Sequence, residues 1–495
     1  MRGPTPSRAA PALQLFPGRP PQCGGGAGRL QPPMLDVAIV GGGPAGLAAA
    51  IALRRAAPRL SVKVRMLVAG AWRGRRARHS RVPTLLLVSS KVFERAPALT
   101  PRGATLALVP NGLKALRALD GKAAAAVEAV DLADVVRGCR VSTTTGATLD
   151  DSPGRRADRT AHLGRSLTLL WHELRDTLAG EVGPDAIALA HGLSSFTLDT
   201  DGGGATLEFG GELPSVRTRA VVGADGGRSL VRAALLPAEG PLTYGGLAVW
   251  RGVRPSLPPG WDTSRAWQAI RDDTALPAGA AAGPRAAFLS YVLPPAPGDS
   301  EPRLVWQLFA PWPEARLGEL SAGVAGLAAA LAGSPGAGRA RLDRALSALA
   351  ATTAGGLAGW PAAVVDAVEA TDAAAVAEHP LLWRPAAVEA LDAIPPTAPA
   401  TLVGDAHALG PPMLGQGTAQ AVEGALALGA ALAGAGPETD LAPRLRLYEA
   451  SRRERAAAIL AARIDVTERG ARGGRVDEVG EHLALGFMEA TFDPL

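Results

Sequence analysis

Short apolar runs alternate with helical patterns along the first part of the chain. Val37 to Val40 form an apolar run suited to a buried parallel strand, and good helix formers follow from Ala48 to Leu53. Residues 103–119 repeat this order, with an apolar strand, a Pro-Asn turn and an amphipathic helix. The alternation of strands and helices predicts an α/β fold.

The pattern changes in the middle of the chain. Strand-like runs at residues 287–292 and 303–309 alternate with proline turns, which predicts a sheet. From Leu317 to His379 the sequence becomes helical in pattern and rich in alanine, and Trp360-Pro361 marks the start of one helix. We therefore expect a second sheet, followed by helices.

A glycine motif stands between the first strand and its helix and has the form G-x-G-x-x-G. Its first glycine permits a tight turn, its second lets backbone amides approach a pyrophosphate, and its third lets the helix pack on the strand. The helix N-terminus then stabilises the phosphate charge. The predicted phosphate-binding residues are Gly41, Gly43, Ala45 and Gly46.

This motif needs an acidic residue about 20 residues further on, to bind the adenosine ribose. The best candidate, Glu94, follows Gly46 by 48 residues. Removing residues 64–91 restores a spacing of 20, because Lys63-Val64 recurs as Lys91-Val92. The removed segment has seven basic residues and no acid, and we interpret it as an insertion of the kind that a translated intron leaves. A genuine exposed basic loop is the alternative.

Composition limits the functional classes. A chain of 495 residues can bury two cores, and 47% hydrophobic with 20% charged residues is ordinary for a soluble enzyme. The formal charge is +5, but residues 1–33 and 64–91 carry four and seven basic residues and no acid, so the rest of the chain is acidic on balance. Nucleic-acid binding therefore has little support. Cys23 and Cys139 make neither a disulfide framework nor a metal site, and the seven histidines show no ligand spacing. No apolar run reaches membrane-spanning length.

Residues 1–33 are rich in Pro, Gly, Arg and Ala and contain no acid, which predicts a disordered leader. This leader resembles an organellar transit peptide, and Met34 is the alternative start. The expected location is accordingly either the cytoplasm or an organelle.

A family resemblance begins after Glu94. The run G-A-x-x-x-L-x-P-N-G-L-x-A-L, following a G-x-G-x-x-G unit that ends in V-F-E-R-A, resembles the single-component FAD-dependent monooxygenases. These aromatic-ring hydroxylases include salicylate-hydroxylase-like enzymes and zeaxanthin epoxidases. Gly164-Arg165-Ser166 with LTLLWHELRDTL resembles a variant of the family's H-R-x-x-L helix, which implies that Arg165 lies against the flavin nucleotide. Alternatively, Arg165 is a solvated residue at a helix start.

Two further signatures follow in the family's order. GADGGRSLVR, from Gly223, matches G-A-D-G-x-x-S-x-x-R. The resemblance implies that Asp225 helps to hold the FAD pyrophosphate and contributes to binding of the reduced pyridine nucleotide. In the third signature, from Thr401, it implies that Asp405 bonds the flavin ribityl chain and that Gly415 and Gly417 flank a turn facing the isoalloxazine.

The third signature departs from the family's pattern at two places. His407 follows Asp405 after a single residue, where two are usual, and Glu423-Gly424 stands where Glu-Asp is usual. The first departure concerns the register of the loop, and the second predicts weaker anchoring of the helix. We interpret His407 as a structural loop residue and not as a catalytic base.

The resemblance also organises the chain into domains. It implies a Rossmann-type FAD-binding domain interleaved with a mixed β-sheet substrate domain, and a C-terminal helical segment in which Tyr448-Glu449 match the family's closing helix. Tyr244 and Arg251 lie in a Y-x-G and a W-R-G sequence that resemble the family's strand after the second signature, so they are the candidate substrate-pocket residues. The expected boundaries are 34–240 for the first part of the FAD domain, 241–395 for the substrate domain and 396–495 for the second part with the C-terminal helices.

The implied activity is that of an FAD-dependent monooxygenase. In the family, NAD(P)H reduces FAD, and O₂ then forms a flavin hydroperoxide that hydroxylates or epoxidises a small aromatic or isoprenoid molecule. A second strand-G-x-G-x-x-G-helix unit is absent from the sequence, which disfavours disulfide reductases with two dinucleotide domains. An FAD-dependent reductase of the same fold and a non-catalytic flavin-binding protein are the alternatives, and the sequence leaves the oligomeric state open.

Overall fold

The computed structural model describes residues 34–60, 90–99, 105–131, 138–142, 148–150, 164–199, 202–261, 267–271, 286–295, 300–320, 335–353 and 355–471. All of them belong to one compact unit. The predicted leader and residues 64–89 of the predicted insertion lie outside the described residues. The last two residues of that segment, Ser90 and Lys91, form the first half of a strand.

The described strands are β1 (Leu35–Val40), β2 (Ser90–Phe93), β3 (Thr105–Leu108), β4 (Gly138–Ser142), β5 (Thr148–Asp150), β6 (Leu167–Leu170), β7 (Ile187–Ala188), β8 (Leu193–Leu198), β9 (Ala205–Phe209), β10 (Val216–Gly223), β11 (Thr243–Arg254), β12 (Trp267–Arg271), β13 (Ala287–Leu293), β14 (Arg303–Pro311), β15 (Ala377–Trp383) and β16 (Ala400–Leu402). The described α-helices are α1 (Pro44–Ala56), α2 (Pro110–Leu119), α3 (Gly121–Ala129), α4 (Trp171–Val182), α5 (Leu230–Leu235), α6 (Pro335–Ala350), α7 (Ala362–Glu369), α8 (Gln416–Ala431) and α9 (Leu441–Ala471).

The first sheet has the order β7-β2-β1-β10-β9-β8, with β16 also paired to β10. Strands β2, β1, β10 and β16 run parallel, so their carboxyl ends meet at one edge. Every residue of β1 is buried, because alternate side chains enter two different cores. Val37 and Ile39 pack with α1 and α8, whereas Ala38 and Val40 pack on the opposite side. The predicted buried parallel strand and the α/β fold are confirmed.

The second sheet has the order β15-β11-β14-β13-β12-β4-β5 and is mostly antiparallel. On one face, Trp250 and Trp306 are fully buried in a core that α6 and α7 cover. Burying an aromatic side chain of this kind stabilises the fold by about 1.5–3 kcal/mol. On the other face, Val249 belongs to an apolar cluster that includes Ile464 of α9. The sheet therefore separates a helical core from the side where the first sheet lies.

Two secondary-structure predictions need correction. The segment beginning at Leu167 is a strand, β6, and its helix begins only at Trp171, because Leu167 and Leu169 are buried and pair with β3 in the alternating pattern of a sheet. The helical stretch expected up to His379 ends earlier, since β15 begins at Ala377. Pro380 cannot continue a helix but is tolerated in this edge strand.

Candidate functional site

In the glycine turn after β1, two of the three motif glycines are tightly packed against the protein and the third has free space beside it. A Cβ atom on Gly41, whose φ is +114°, would lie 2.3 Å from the carbonyl oxygen of Ala224, and one on Gly46 would lie 2.0 Å from the oxygen of Gly41. A Cβ on Gly43 would meet no described atom within 4 Å. The outer glycines thus permit close packing of the protein, while the middle one leaves space in front of the turn, as a bound pyrophosphate requires.

Helix α1 begins behind this turn without a side-chain cap. Its N-cap is Gly43, and its first turn contains no acidic residue. The free N–H groups and the helix dipole therefore give this terminus a positive potential that suits a phosphate. Ala45 in the first turn packs closely against Gly404, because a Cβ on that glycine would lie 2.6 Å from the Ala45 methyl.

Glu94 stands directly after β2, beside the glycine turn. Its Oε2 accepts a hydrogen bond of 2.8 Å from the N–H of Gly42, and its Oε1 accepts one of 2.8 Å from Ala96. These bonds fix the orientation of a half-buried carboxylate, which retains lone pairs for further donors. The structure thus brings Glu94 beside the glycine turn, despite the long sequence separation.

Asp225 follows β10, and one of its two carboxylate oxygens accepts hydrogen bonds. Its Oδ2 accepts hydrogen bonds from the N–H groups of Leu230, at 2.7 Å, and Val231, at 3.3 Å, and so caps α5. Its Oδ1 is buried and has no partner in the described part of the chain. Burial raises the pKa of Asp225, although the bond from Ser229 and those from the α5 backbone lower it. An unpaired buried oxygen at this edge fits a bound polar group.

Asp405 lies in a short 3₁₀ helix, Gly404–Ala406, after β16. Asp405 is exposed at the edge of the sheet. The protein packed around it nevertheless desolvates its carboxylate. This desolvation raises the pKa of Asp405 from its ordinary value, and the charge of Arg463 partly opposes the shift. The carboxylate is thus available to a ligand that donates hydrogen bonds.

Helix α8 begins like α1, without a side-chain cap. Gly415 is its N-cap, with a φ of +65°, and the first turn has no acidic residue. The preceding Leu414 also has a positive φ, of 70°, which is unfavourable for a leucine. The nearest described atom to a Cβ on Gly417 would be Nη2 of Arg463, at 3.7 Å. A second positive helix terminus therefore faces outward from a constrained turn.

The start of α8 is tied to two other helices through a buried carboxylate. Asn111 on α2 donates to Oε1 of Gln416, at 3.0 Å, and to Oε1 of Glu423, at 2.7 Å. Arg455 on α9 donates two bonds of 2.8 Å to Glu423, and Nη1 of Arg452 lies 3.2 Å from the same carboxylate. Glu423 is fully buried. Glu423 is therefore anchored by α2 and α9, whereas the weaker anchoring expected from Gly424 stays a prediction.

Arg232, the last residue of the second signature, connects that signature to the third. Its guanidinium donates to the carbonyl oxygens of Ala406, at 3.0 Å, and His407, at 2.8 Å. It also pairs with Glu239 through Oε1, at 2.5 Å, and Oε2, at 2.8 Å. Arg463 on α9 likewise donates to backbone carbonyl oxygens, with bonds of 2.6 Å to those of residues 410 and 411. Two buried arginines thus hold the loop that carries Asp405. The signature contains Arg232, but no sequence motif marks Arg463.

His407 lies behind Asp405 and not beside it on the exposed edge. It is buried, and its Nε2 has no hydrogen-bond partner among the described residues. Burial lowers the pKa of His407 to about 3, and the charges of Arg452, Arg232 and Arg453 act in the same direction. The imidazole borders a small cavity that Tyr448 and Arg463 also line. A neutral buried histidine agrees with the interpretation of a structural loop residue.

Arg165 precedes β6 and does not stand at a helix start. Its side chain is 50% exposed, and its Nη2 lies 3.6 Å from carboxylate oxygens of Glu128 and Asp131. Burial raises the pKa of Asp131, and the charge of Arg165 opposes this shift. No hydrogen bond or ion pair between described residues joins Arg165 to the glycine turn or to the third signature, so its predicted role at the flavin nucleotide stays a prediction.

The two candidate pocket residues on β11 have different surroundings. The Tyr244 hydroxyl donates to the carbonyl oxygen of Trp312, at 2.8 Å, and burial, with the charge of Glu314, raises the pKa of Tyr244 to about 12. Arg251 contacts the imidazole of His379 on β15 through its Nη2. Tyr244 thus has a structural partner, whereas Arg251 belongs to a polar pair. No sequence motif marks His379, which lies in an alanine-rich stretch.

The described residues contain neither a membrane-spanning helix nor a metal-binding cluster. None of the helices there is long and apolar enough to cross a membrane. Within the same ranges, no group of three or more His, Cys, Asp or Glu side chains could hold a metal ion.

Comparison with known proteins supports the resemblance. No protein-family model matches the chain. Aurachin C monooxygenase/isomerase from Stigmatella aurantiaca is 31% identical over 224 residues, which are 44% of this chain and 47% of that protein, so the match spans about half of the relative's length.

Solved structures extend the likeness to nearly the whole chain. HpxO from Klebsiella pneumoniae, in complex with FAD and uric acid, superposes with a TM-score of 0.59 at 19% identity, covering 92% of this chain and 93% of that one. The 2,6-dihydroxypyridine-3-hydroxylase from Arthrobacter nicotinovorans gives 0.59 at 19% identity, covering 90% and 96%. At this identity the superpositions establish a shared fold.

Proposed function

We propose that this chain, which has the fold of the FAD-dependent monooxygenases, binds FAD and uses NAD(P)H and O₂ to hydroxylate or epoxidise an aromatic or isoprenoid small molecule. One observation carries the proposal. Four parallel strands end at the same edge, and the residues that follow them there are Gly41, Glu94, Asp225 and Asp405. In sheets of this kind, dinucleotides bind outside the carboxyl ends of the strands.

The donors and acceptors at this edge fit FAD. The open space at Gly43 and the uncapped start of α1 suit the pyrophosphate, and Glu94 has lone pairs for the ribose hydroxyls. Asp405 would accept hydrogen bonds from the ribityl chain. The uncapped start of α8, behind Gly415, has a positive potential that would favour negative charge on the ring system.

When bound, FAD supplies the redox chemistry, taking hydride from NAD(P)H and enabling transfer of one oxygen atom from O₂ to the substrate. The protein has to orient the substrate and exclude water, because reducing equivalents are otherwise lost as hydrogen peroxide. On the side toward α9, the second sheet carries a buried apolar cluster from which water is excluded. Its members are Leu247, Val249, Leu381 and Trp383, with Phe309 and Ile464 packed against them.

The names of the relatives support an aromatic substrate over an isoprenoid one. Uric acid and 2,6-dihydroxypyridine, which occur in the names of two structures that share the fold, are both nitrogen-containing ring compounds. The half-length likeness to aurachin C monooxygenase/isomerase supports oxygenation as the reaction type. We therefore place a ring compound first among the substrates to be tested.

The test follows NAD(P)H oxidation, oxygen uptake and peroxide release by the purified, FAD-loaded protein in the presence of aromatic and isoprenoid compounds. A substrate should stimulate NAD(P)H oxidation and lower the fraction of hydride recovered as peroxide. A protein that retains FAD but oxidises neither NADH nor NADPH with any compound would instead be a non-catalytic flavin-binding protein. Stimulated oxidation of NAD(P)H without any oxygenated product would favour a reductase.

A further inference from the structure

A small cavity separates the loop that carries Asp405 from helices α8 and α9. Its polar lining consists of five side chains: His407, Gln420, Tyr448, Arg452 and Arg463. No carboxylate of the described residues belongs to this lining. The free space accommodates a species about as large as a water molecule. Two guanidinium groups therefore border a small space that no described carboxylate adjoins.

Buried positive charge exceeds buried negative charge around the cavity. Arg463 donates to the carbonyl oxygens of residues 410 and 411 and forms no ion pair within the described ranges. Arg452 shares the carboxylate of Glu423 with Arg455, which makes the shorter bonds to it. One carboxylate thus serves two guanidinium groups, and the third has none. A buried charge is costly unless an opposite charge accompanies it.

The charge of Arg463 is balanced only in part and from a distance. Burial lowers the pKa of Arg463, and the charge of Asp405 opposes this shift. Asp405 does not line the cavity, and its own carboxylate is disfavoured in the charged form because burial raises its pKa. An anion inside the cavity would balance the guanidinium directly.

His407 supplies a further donor to the same space. The residue is buried, and its Nε2 has no hydrogen-bond partner among the described residues. Burial lowers the pKa of His407 to about 3, and the charges of three arginines act in the same direction. The neutral imidazole therefore lies in a positive potential, where Nε2 can carry the ring proton and donate it to a bound acceptor. A buried polar atom without a partner fits an occupied cavity.

Gly424 is the residue of α8 that leaves this space free. A Cβ atom there would lie 3.4 Å from the hydroxyl oxygen of Tyr448, at an ordinary van der Waals distance. A larger side chain at this position would therefore extend along the lining of the cavity. The sequence has Glu423-Gly424 where Glu-Asp is usual. The glycine thus omits a carboxylate at a place that two guanidinium groups border.

We propose that this cavity binds a small monovalent anion, such as chloride or formate, which takes the place of a carboxylate on α8. Arg452 and Arg463 supply the charge, and His407 donates a further hydrogen bond. The ion joins the loop to α8 and α9 and so stabilises the segment that carries Asp405. A water molecule would fill the same space without balancing the charge. The inference concerns the folded protein and holds whether or not the chain is a monooxygenase.

The melting temperature of the full-length protein at neutral pH measures the binding. Sodium chloride or sodium formate replaces sodium gluconate at constant ionic strength, because gluconate is too large for the cavity. A ligand that binds only the folded state raises the melting temperature as its concentration rises. We expect a saturable rise of roughly 2–4 °C in each of the two small anions. Equal melting temperatures in all three salts would overturn the proposal, whatever the variants show.

Two variants of equal size then separate charge from volume. Gly424→Asp should raise the melting temperature in gluconate and remove the response to chloride, because it supplies its own carboxylate. Gly424→Asn has a similar helix propensity and should remove the response with a smaller rise. Equal stabilisation by both would show that the site needs only to be filled, and would refute an anion. Arg339→Gln, at an exposed arginine of α6, is the control and should keep the full response.

Bromide locates the ion. Crystals of the unaltered protein grown in sodium bromide should show anomalous density in the cavity, beside Arg452, Arg463 and His407. Density for a water molecule alone would overturn the proposal. In the FAD-loaded protein, bromide should leave the flavin absorbance unchanged. An absorbance change that follows the melting response would instead place the ion at the flavin and refute the cavity assignment.

Discussion

The amide of Asn111 lies 2.7 Å from the carboxylate of Glu423, although 312 positions separate the two residues in the chain. The first belongs to the Pro-Asn-Gly sequence and the second to α8, so one hydrogen bond links two of the sequence signatures. Arg455 of the closing helix approaches the same carboxylate from the other side. Glu423 thus joins α2, α8 and α9 directly behind the turn proposed to face the flavin.

Replacing Glu423 should destabilise the protein strongly. Glu423→Gln leaves Arg452 and Arg455 without their buried counter-charge, and breaking a buried ion pair of this kind costs roughly 3–5 kcal/mol. Chemical denaturation at neutral pH should show this loss. Glu454→Gln, at an exposed position on α9, is the control and should change the stability little.

The effect of Glu423→Gln should also depend on pH. Burial alone would raise the pKa of Glu423, but the hydrogen bond from Arg455 and the charge of Arg452 lower it below its ordinary value of 4.5. The carboxylate therefore contributes stability above pH 4.5, and this contribution is lost as the pH falls through the lowered value. The difference between the two proteins should shrink in acid. A difference independent of pH would show that packing, not charge, is lost.

Glu94→Ala should weaken FAD binding by roughly 1.5–3 kcal/mol, the range for a hydrogen bond to a charged group. Flavin retention on a desalting column, followed by titration of the stripped protein with FAD, measures the loss. Glu94→Gln should bind FAD better than the alanine variant, because the amide oxygen still accepts one bond. Glu208→Ala, at an exposed glutamate of β9, should bind FAD normally. Full flavin retention in Glu94→Ala would contradict the ribose assignment.

Asp405→Asn should affect stability and flavin binding in opposite directions. Because the folded protein raises the pKa of Asp405, the ionised carboxylate disfavours folding at every pH above that raised value. The flavin-free variant should therefore melt at a higher temperature than the unaltered protein at neutral pH. Its FAD affinity should fall, since an amide is a weaker acceptor for the ribityl hydroxyls. A lower melting temperature of the flavin-free variant would contradict the raised pKa.

His407→Asn should flatten the pH dependence of stability in weak acid. With a folded pKa of about 3 against 6.5 ordinarily, His407 stays neutral while the unfolded chain takes up a proton. Stability is therefore lost as the pH falls from about 6.5 towards 3, and the asparagine variant lacks this component. Melting temperatures between pH 7 and pH 4 would show a smaller slope. His172→Asn, on α4, is the control. An unchanged slope would show that His407 is protonated in the fold.

Deleting residues 64–91 should preserve folding and FAD binding. In the shortened chain Val62-Lys63 would occupy the places of Ser90 and Lys91, which pair with Val37 and Ala38 in β2. A deletion of the same length from 67 to 94 also removes Phe93 and Glu94 and should abolish FAD binding. Insolubility of the first variant, or loss of its flavin, would show that the segment is required for folding or for FAD binding.

Local patterns predicted the geometry of the sheet edge that is proposed to bind the nucleotide. The apolar run of β1, the spacing of Gly41 and Gly46 and the turn at Asp225 each depend on only a few neighbouring residues, so sequence alone is enough to recognise them. Glu94 was found only because the repeated Lys-Val pair indicated how much chain to remove. The structure then placed it beside Gly42.

Long-range side-chain pairing was beyond the sequence. Nothing near Arg463 indicates that it holds the carbonyl of Pro411, and nothing near His379 indicates that the register of β15 brings it to Arg251. The error at Leu167 has a different cause. The resemblance to a helical motif outweighed the alternation of the Leu-Thr-Leu sequence, which already had the period of a strand.

The opposite orientation of Trp250 and Arg251 has a consequence for how related chains can vary in length. Adding or removing one residue within the paired part of β11 would reverse every side chain beyond it, exposing the indole and burying the guanidinium among helices. The pairing with β15 already shifts between Tyr244 and Ala248, where Gly246 has a φ of +71°. Insertions and deletions in homologues should therefore occur at this bulge. The eight residues from 247 to 254, which pair without interruption with β14, should stay constant in number even where the amino acids differ.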